Sequence, residues 1–169
     1  PFHPLTGWLI AVPAMILGAG APSIELVDLT GAFFPVVLGA LTIIPVYMIG
    51  SALFGRIAGA SAAIVLAVLP GEFLSRSLLG FADHHVTEAF FSACTLLFLV
   101  LATRRVAEQR ITLSSFRENI ASGERRAYLL TVLAGLSLGL YLLAWRGGVL
   151  LLLVIFAYIV VRAVVDYSR

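Results

Sequence analysis

The chain has 169 residues, of which 61% are apolar and 12% are charged, and its formal net charge is +2. Its mean hydropathy is +1.07, and a water-soluble domain of this size would carry about 25% charged residues. This composition excludes a soluble globular domain and predicts an all-α, polytopic bundle of transmembrane helices. No basic patch is interleaved with exposed aromatic residues, so no nucleic-acid partner is expected.

The first segment is ambiguous. The chain begins at Pro1 without a methionine and without the features of a signal peptide, so we expect an internal fragment of a longer protein. Residues 5–19 are apolar but fall short of the roughly 20 residues that a spanning helix needs. Pro13 interrupts this run, which therefore predicts an interfacial or partly inserted helix.

Five longer apolar segments follow, and each is predicted to cross the bilayer. They occupy residues 29–54, 57–74, 86–103, 128–145 and 149–165. Small residues at Gly39, Gly50 and Gly59 favour close approach of neighbouring helices. Between the third and fourth spans, residues 104–126 contain six arginines and three glutamates. This loop has the pattern of an amphipathic surface helix, whose buried side would comprise Ile111, Leu113, Phe116 and Ile120.

The arginines predict the orientation in the membrane. If the spans alternate in direction, one side receives nine arginines and the other receives only Arg76 and Arg146. Because cytoplasmic loops are enriched in basic residues, the side with nine is predicted to be cytoplasmic. The loop before residue 86 and the turn after residue 145 are then both predicted to be external.

Ser75–Glu88 concentrates polar residues between two apolar runs, and this stretch is the predicted functional site. Asp83 and His85 are two positions apart, so in an extended segment or a turn both can face one point. Carboxylate oxygen and imidazole nitrogen commonly bind one divalent cation together. His84 would then point away from them, and we expect it to belong to the loop or to support the ligands.

A helix start explains the same residues without a metal. Aspartate is a favourable N-cap, and Glu88 early in the next helix suits the positive end of the helix dipole. The concentration of polar groups and the bend expected at Gly80 favour the metal site. Arg76, seven residues before Asp83, could hydrogen-bond the ligating carboxylate. Two ligands do not complete a metal coordination sphere, so the others must come from chain absent here.

The predicted site lies at the depth where lipid-linked pyrophosphates present their leaving group. A divalent cation with carboxylate ligands can neutralise charge that develops on a leaving phosphate. Arg146, in a glycine-containing turn on the same side, could contact a phosphate. Its alternative role is that of an interfacial arginine beside Trp145.

These residues resemble a known family. The run from Arg76 through Gly80 to Asp83-His-His85, followed by Val-Thr-Glu88 and an apolar helix, is similar to the second external loop of oligosaccharyltransferase catalytic subunits. That family comprises bacterial and archaeal single-subunit enzymes and their eukaryotic relatives. The turn at Trp145-Arg146-Gly-Gly resembles the family's aromatic turn after its fifth span, and residues 3–9 resemble the end of its first external loop.

The resemblance implies a C-type glycosyltransferase fold and a specific reaction. An oligosaccharide would be moved from a polyprenyl-diphosphate lipid to asparagine in an Asn-x-Ser/Thr sequon, at the external or periplasmic face of the cell membrane. It implies Mn²⁺ or Mg²⁺ as cofactor, Asp83 and His85 as metal ligands, and Arg76 as a further catalytic residue. Trp145 and Arg146 are candidates for contact with the lipid phosphate. The expected partners are the lipid-linked oligosaccharide, an acceptor polypeptide and membrane lipids.

In that family the remaining ligands are an aspartate of the first external loop and a glutamate of a later loop. Neither is present here, so these 169 residues alone are expected to be inactive. Three other functions remain open. One is a glycosyltransferase of the same fold that acts on a different acceptor. The second is a transporter or channel, which the absence of mid-span charges disfavours, and the third is a non-catalytic membrane subunit.

Overall fold

The structure is a computed structural model that describes residues 4–109 and 125–167. Within these residues every regular element is helical, which confirms the all-α prediction. A short 3-10 turn, Arg146–Gly148, precedes the last helix. The α-helices are α1 (Pro4–Leu17), α2 (Ile24–Phe54), α3 (Arg56–Val68), α4 (Glu72–Arg76), α5 (His84–Gln109), α6 (Arg125–Ala144) and α7 (Val149–Tyr167).

Three of the described helices, α2, α5 and α6, are long and apolar enough to cross a membrane. The helices α1, α3 and α7 are apolar but shorter. Three of the five predicted spans therefore correspond to helices that are long enough by themselves to cross a membrane. Whether α3 and α7 also cross stays a prediction.

Helix α2 begins five residues before the predicted span at 29–54. The Ser23 side chain caps it, because its hydroxyl oxygen accepts a 3.3 Å hydrogen bond from the Leu26 N–H. Glu25 in the first turn favours the positive end of the helix dipole. The predicted span starts at residue 29, after Glu25 and Asp28, because acidic residues lower the local hydropathy. The observed helix starts before them because Ser23 caps it.

The segment predicted as one span at 57–74 is instead two helices. Helix α3 has 13 residues and ends at Val68, and α4 starts at Glu72. Proline disfavours the helical conformation in the residue before it, and Leu69 accordingly takes an extended conformation with φ −69° and ψ 120°. Pro70 and Gly71 thus break the helix, rather than merely weakening it.

The boundaries around the arginine-rich loop also shift. Helix α5 runs past the predicted end at residue 103 to Gln109, and an Arg105–Glu108 contact of 3.1 Å spans one turn of this extension. Helix α6 begins at Arg125, inside the predicted loop. The proposed amphipathic helix, with Ile111, Leu113, Phe116 and Ile120, lies outside the described residues.

Small residues allow α2 and α3 to pack as a tight hairpin. A β-carbon on Gly50 would lie 2.8 Å from the Gly59 Cα, and one on Gly59 would lie 2.6 Å from the Tyr47 carbonyl oxygen. These distances are shorter than atomic contact permits, so only glycine fits at either position. The predicted close approach at these glycines is confirmed.

The arginine-rich helix ends meet at one end of the bundle. Leu53 of α2, Arg104 of α5 and Arg162 of α7 line one cavity of about 460 Å³. Asp83 immediately precedes α5, and the 20 residues from His84 to Arg104 span about 30 Å at 1.5 Å per residue. Asp83 and these arginines therefore lie at opposite ends of the bundle, as the alternation of spans predicts.

Candidate metal centre at the start of helix α5

The loop that leads to Asp83 is fixed against α2. Gly80 has a φ of +85°, a left-handed conformation that glycine adopts without a steric penalty. Its N–H donates a 2.9 Å hydrogen bond to the Ala32 carbonyl oxygen. Gly39 approaches Ser77 so closely that a β-carbon there would lie 2.6 Å from the Ser77 Cβ. The expected bend at Gly80 is present, and two contacts with α2 determine where the loop lies.

Arg76 holds two carboxylates. Its Nη1 donates a 3.1 Å hydrogen bond to Asp83 Oδ2, and its Nε donates one of 3.0 Å to Glu72 Oε2. The guanidinium carbon also lies 5.2 Å from the centre of the Phe81 ring. The predicted contact between Arg76 and Asp83 is therefore present. Because charge-assisted hydrogen bonds are directional, Arg76 orients the Asp83 carboxylate.

The other oxygen of Asp83 contacts the start of α5. Asp83 Oδ1 accepts a 2.6 Å hydrogen bond from the His84 backbone N–H, and the His84 Nδ1 lies 2.5 Å from the same oxygen. Asp83 thus occupies the position directly before the helix, where a carboxylate favours the helix dipole. The helix-start and metal-site interpretations describe the same arrangement and do not exclude each other.

His85 lies between two carboxylates. Its Nε2 is 3.5 Å from Asp83 Oδ2, and its Nδ1 is 3.4 Å from Glu88 Oε2. The two ring nitrogens therefore face different acidic residues. The prediction that Asp83 and His85 face one point agrees with this geometry, although His85 reaches that point from the first turn of a helix.

Asp83 is held in its ionised form. Partial burial by itself would raise its pKa, but the hydrogen bond from the His84 backbone and the electrostatic interactions with His84 and His85 outweigh this effect. The pKa of Asp83 therefore lies below its usual value. A metal-binding carboxylate must be deprotonated, so the local contacts prepare this group for a cation.

The donor set fits a divalent cation. Asp83, His84 and His85 can each offer one ligand atom, and these atoms lie within 4.8 Å of one another. Two ligand atoms about 2.1 Å from one ion, at angles near 90° to 110°, are separated by about 3.0–3.5 Å. The 3.5 Å between Asp83 Oδ2 and His85 Nε2 matches this range.

The second predicted element, the turn after α6, packs near the same end. Trp145 is extended, with φ −150° and ψ 126°, and its ring meets the Tyr141 ring edge-to-face at 6.5 Å. The turn needs glycine at Gly148, where a β-carbon would lie 2.7 Å from the Tyr141 ring. Tyr141 is buried and within electrostatic range of Glu88. Thus Trp145 and the backbone of Arg146 lie at the same end of the bundle as Asp83.

The expectation that His84 points away from Asp83 applied to an extended loop, and the segment is helical instead. His84 does not point away from Asp83, because its ring lies against the carboxylate and 4.2 Å from the His85 ring, centre to centre. Both histidines belong to the first turn of α5, where successive side chains do not alternate in direction. The available signal for an earlier helix start was Asp83, a favourable N-cap residue, directly before the two histidines.

The sequence is similar to known proteins along nearly its whole length. A family model described as "Oligosaccharyl transferase STT3, N-terminal" matches residues 2–166. Over 161 residues the chain is 35% identical to the dolichyl-monophosphooligosaccharide–protein glycotransferase AglB of Haloferax volcanii, covering 95% of this chain and 15% of that protein.

Solved structures of the Archaeoglobus fulgidus oligosaccharyltransferase have the same fold. The crystal structure of its complex with Zn and sulfate superposes with a TM-score of 0.77 at 33% identity, covering 93% of this chain and 18% of that one. A second, tethered to an acceptor peptide with the NVT sequon, gives a TM-score of 0.79 at 35% identity and the same coverage. The chain thus spans less than a fifth of the length of these relatives.

Proposed function

This chain belongs to the oligosaccharyltransferase STT3 family, and we propose that it supplies part of the catalytic metal centre of a protein N-glycosylation enzyme. The complete enzyme would transfer an oligosaccharide from a polyprenyl-diphosphate lipid to asparagine in an Asn-x-Ser/Thr sequon. The partners would be the lipid-linked oligosaccharide, the acceptor polypeptide and the surrounding lipids. The name of the Haloferax volcanii relative supports transfer of an oligosaccharide from a phosphate-linked lipid to protein, and it specifies a dolichyl monophosphate where we propose a diphosphate. The NVT peptide tethered to the Archaeoglobus fulgidus enzyme supports an asparagine acceptor.

The observation that carries the proposal is the Asp83–His85 pair. A carboxylate oxygen and an imidazole nitrogen lie 3.5 Å apart at the end of the bundle remote from the arginine-rich helix ends. We propose Mn²⁺ or Mg²⁺ as the physiological ion. A related crystal structure is a complex with Zn and sulfate, which supports metal binding by this family of enzymes.

Each residue of the centre has a separate task. Asp83 and His85 would bind the ion, and Arg76 would hold the Asp83 carboxylate in the orientation that binding requires. When bound, the ion would neutralise negative charge that develops on the departing phosphate. Trp145 and Arg146, on the same side of the bundle, are the proposed contacts for the lipid phosphate. Further ligands would come from segments beyond these residues.

The arginine distribution supports an external active site. Because the arginine-rich ends of the helices favour the cytoplasmic side, the end with Asp83 would face the outside of the cell membrane. This location would bring the proposed metal centre to the phosphates of the sugar carrier and within reach of a secreted polypeptide.

The test uses the complete protein, purified and reconstituted with a lipid-linked oligosaccharide and a sequon peptide. Chelation should abolish peptide glycosylation, and added Mn²⁺ or Mg²⁺ should restore it. Asp83→Ala and His85→Ala should each lower turnover by at least a hundredfold. Asp28→Ala, which alters an exposed aspartate of α2, is the matched control and should retain turnover.

The other functions give different results in the same preparation. Product on a lipid or hydroxyl acceptor, with none on asparagine, would favour a different glycosyltransferase. Substrate uptake into proteoliposomes without transfer would indicate a transporter. Unchanged turnover in Asp83→Ala would refute a catalytic role for this centre and favour a scaffold.

A further inference from the structure

The cavity beside the proposed metal centre contains a carboxylate that the mechanism above does not use. Glu72, Arg76, His85 and Glu88 line this cavity of about 230 Å³. Glu72 is paired with Arg76, whereas Glu88 faces His85. We propose that Glu88 is a positioning residue, which fixes the ring orientation and proton of His85 so that Nε2 is available to the cation. This inference rests on the proposed metal site and assigns a role within it.

The helix determines which residues meet. His85 and Glu88 are three positions apart in α5, where side chains at this spacing lie on one face. The contact between His85 Nδ1 and Glu88 Oε2 is 3.4 Å. The backbone between them is anchored, because Val86 and Thr87 are almost fully buried, at 1% and 0% exposure. The pair therefore lies on a helical turn whose two intervening residues are buried.

The chemistry of the two groups decides the proton position. A carboxylate accepts hydrogen bonds and cannot donate them, and a neutral imidazole carries a proton on only one nitrogen. In the proposed metal-bound form, Nε2 of His85 is committed to the cation, so the single proton of the neutral ring lies on Nδ1, which faces Glu88. The Nε2 lone pair and Asp83 Oδ2, which lie 3.5 Å apart, would then both face the cation.

Geometry also argues against Glu88 as a direct ligand of the same cation. The two nitrogens of an imidazole ring point in divergent directions, so a carboxylate at Nδ1 lies away from an ion bound at Nε2. Glu88 is therefore poorly placed to bind the same ion as Asp83. Histidine ligands of metals commonly donate their second N–H to a carboxylate, and loss of that partner typically costs ten- to a hundredfold in metal affinity.

The experiment measures binding of Mn²⁺ alone to the complete protein in detergent, without lipid substrate or peptide. Titration calorimetry gives the affinity, and electron spin-echo spectroscopy of bound Mn²⁺ detects the coupling to the ¹⁴N nucleus of a coordinated imidazole. Glu88→Leu should weaken Mn²⁺ binding roughly ten- to a hundredfold and reduce the nitrogen coupling. Glu88→Gln removes the charge but keeps a carbonyl acceptor, so it should stay within about threefold of the wild type.

Glu108→Leu is the matched control. It makes the same change in the same helix, but Glu108 is exposed and contacts Arg105 far from His85. Its Mn²⁺ affinity and nitrogen coupling should equal those of the wild type. A general effect of the lost charge or of the added leucine on α5 would appear in this control as well.

Four results would overturn the assignment. Unchanged affinity in Glu88→Leu would show that Glu88 has no role in the site. Equal loss in Glu88→Gln and Glu88→Leu would show that the charge of Glu88 matters, and not its capacity to accept a hydrogen bond. Lost affinity with full nitrogen coupling would make Glu88 a ligand. If Asp83→Ala also binds Mn²⁺ normally, the metal site itself fails, and that outcome is separate from the other three.

Discussion

Replacing Gly39 by alanine should disturb the proposed metal centre, although Gly39 is not part of it. Gly39 lies in α2, and an added β-carbon would lie 2.6 Å from the Ser77 Cβ, about 0.8 Å inside ordinary van der Waals contact. The Ser77 Cβ is attached directly to the backbone and cannot rotate aside. Ser77 must therefore move, and Arg76 next to it must move as well, which disturbs the 3.1 Å contact with Asp83.

Two magnitudes follow from this displacement. Overpacking of a well-packed site costs about 1–3 kcal/mol of folding free energy. Loss of the group that orients a metal ligand lowers metal affinity by about tenfold at the lower end of its usual range. Gly39→Ala should therefore unfold at a lower temperature than the wild type and bind Mn²⁺ about tenfold more weakly, although every proposed ligand is intact.

Gly31→Ala is the matched control in the same helix. Its β-carbon would lie 3.8 Å from Ile10 Cγ2, which is an ordinary contact. Thermal unfolding and Mn²⁺ calorimetry of the complete protein should therefore give values close to the wild type. If Gly39→Ala matched Gly31→Ala in both measurements, the conclusion that α2 sets the position of the Arg76–Asp83 segment would be wrong.

Two further predictions concern helix packing. Gly59→Ala should lower the free energy of unfolding by about 1–3 kcal/mol, because its β-carbon would meet backbone atoms of α2. Gly135→Ala, with no atom within 4 Å, should not be destabilised in the same assay. The Thr6 and Thr87 hydroxyls, 3.3 Å apart and buried, should be coupled. Either threonine changed to valine should cost about 1 kcal/mol, and the double variant should cost less than the sum of the two. Additive losses would refute this contact between α1 and α5.

Several features of the site were predictable because they depend on neighbours in sequence. The concentration of polar groups at 75–88 and the glycine before Asp83 indicated a turn at a helix start. Arg76 was expected to contact Asp83, and its Nη1 lies 3.1 Å from Asp83 Oδ2. Each of these inferences uses spacing, residue type and local conformational preference, which the linear order of residues contains.

The role of His84 could not be derived in the same way. Whether successive side chains alternate or spiral depends on the residue where the helix starts, and hydropathy does not locate that residue. A start at residue 86 leaves both histidines in an extended loop, whereas the observed start places both in the first helical turn. A shift of two residues therefore changed which groups face Asp83.

By itself, the sequence determined that this chain is a bundle of membrane helices with one polar end that resembles an oligosaccharyltransferase loop. The mean hydropathy of a segment and the number of arginines on each side are sums over many residues, so a small error in a helix boundary does not alter them. Only the tertiary structure decided how the polar groups are arranged. Contacts of the loop with Ala32 and Gly39, more than 35 residues earlier in the chain, place Asp83 over the first turn of α5. Such contacts arise from the packing of α2 against the loop, and packing over that separation leaves no local pattern from which it could be read.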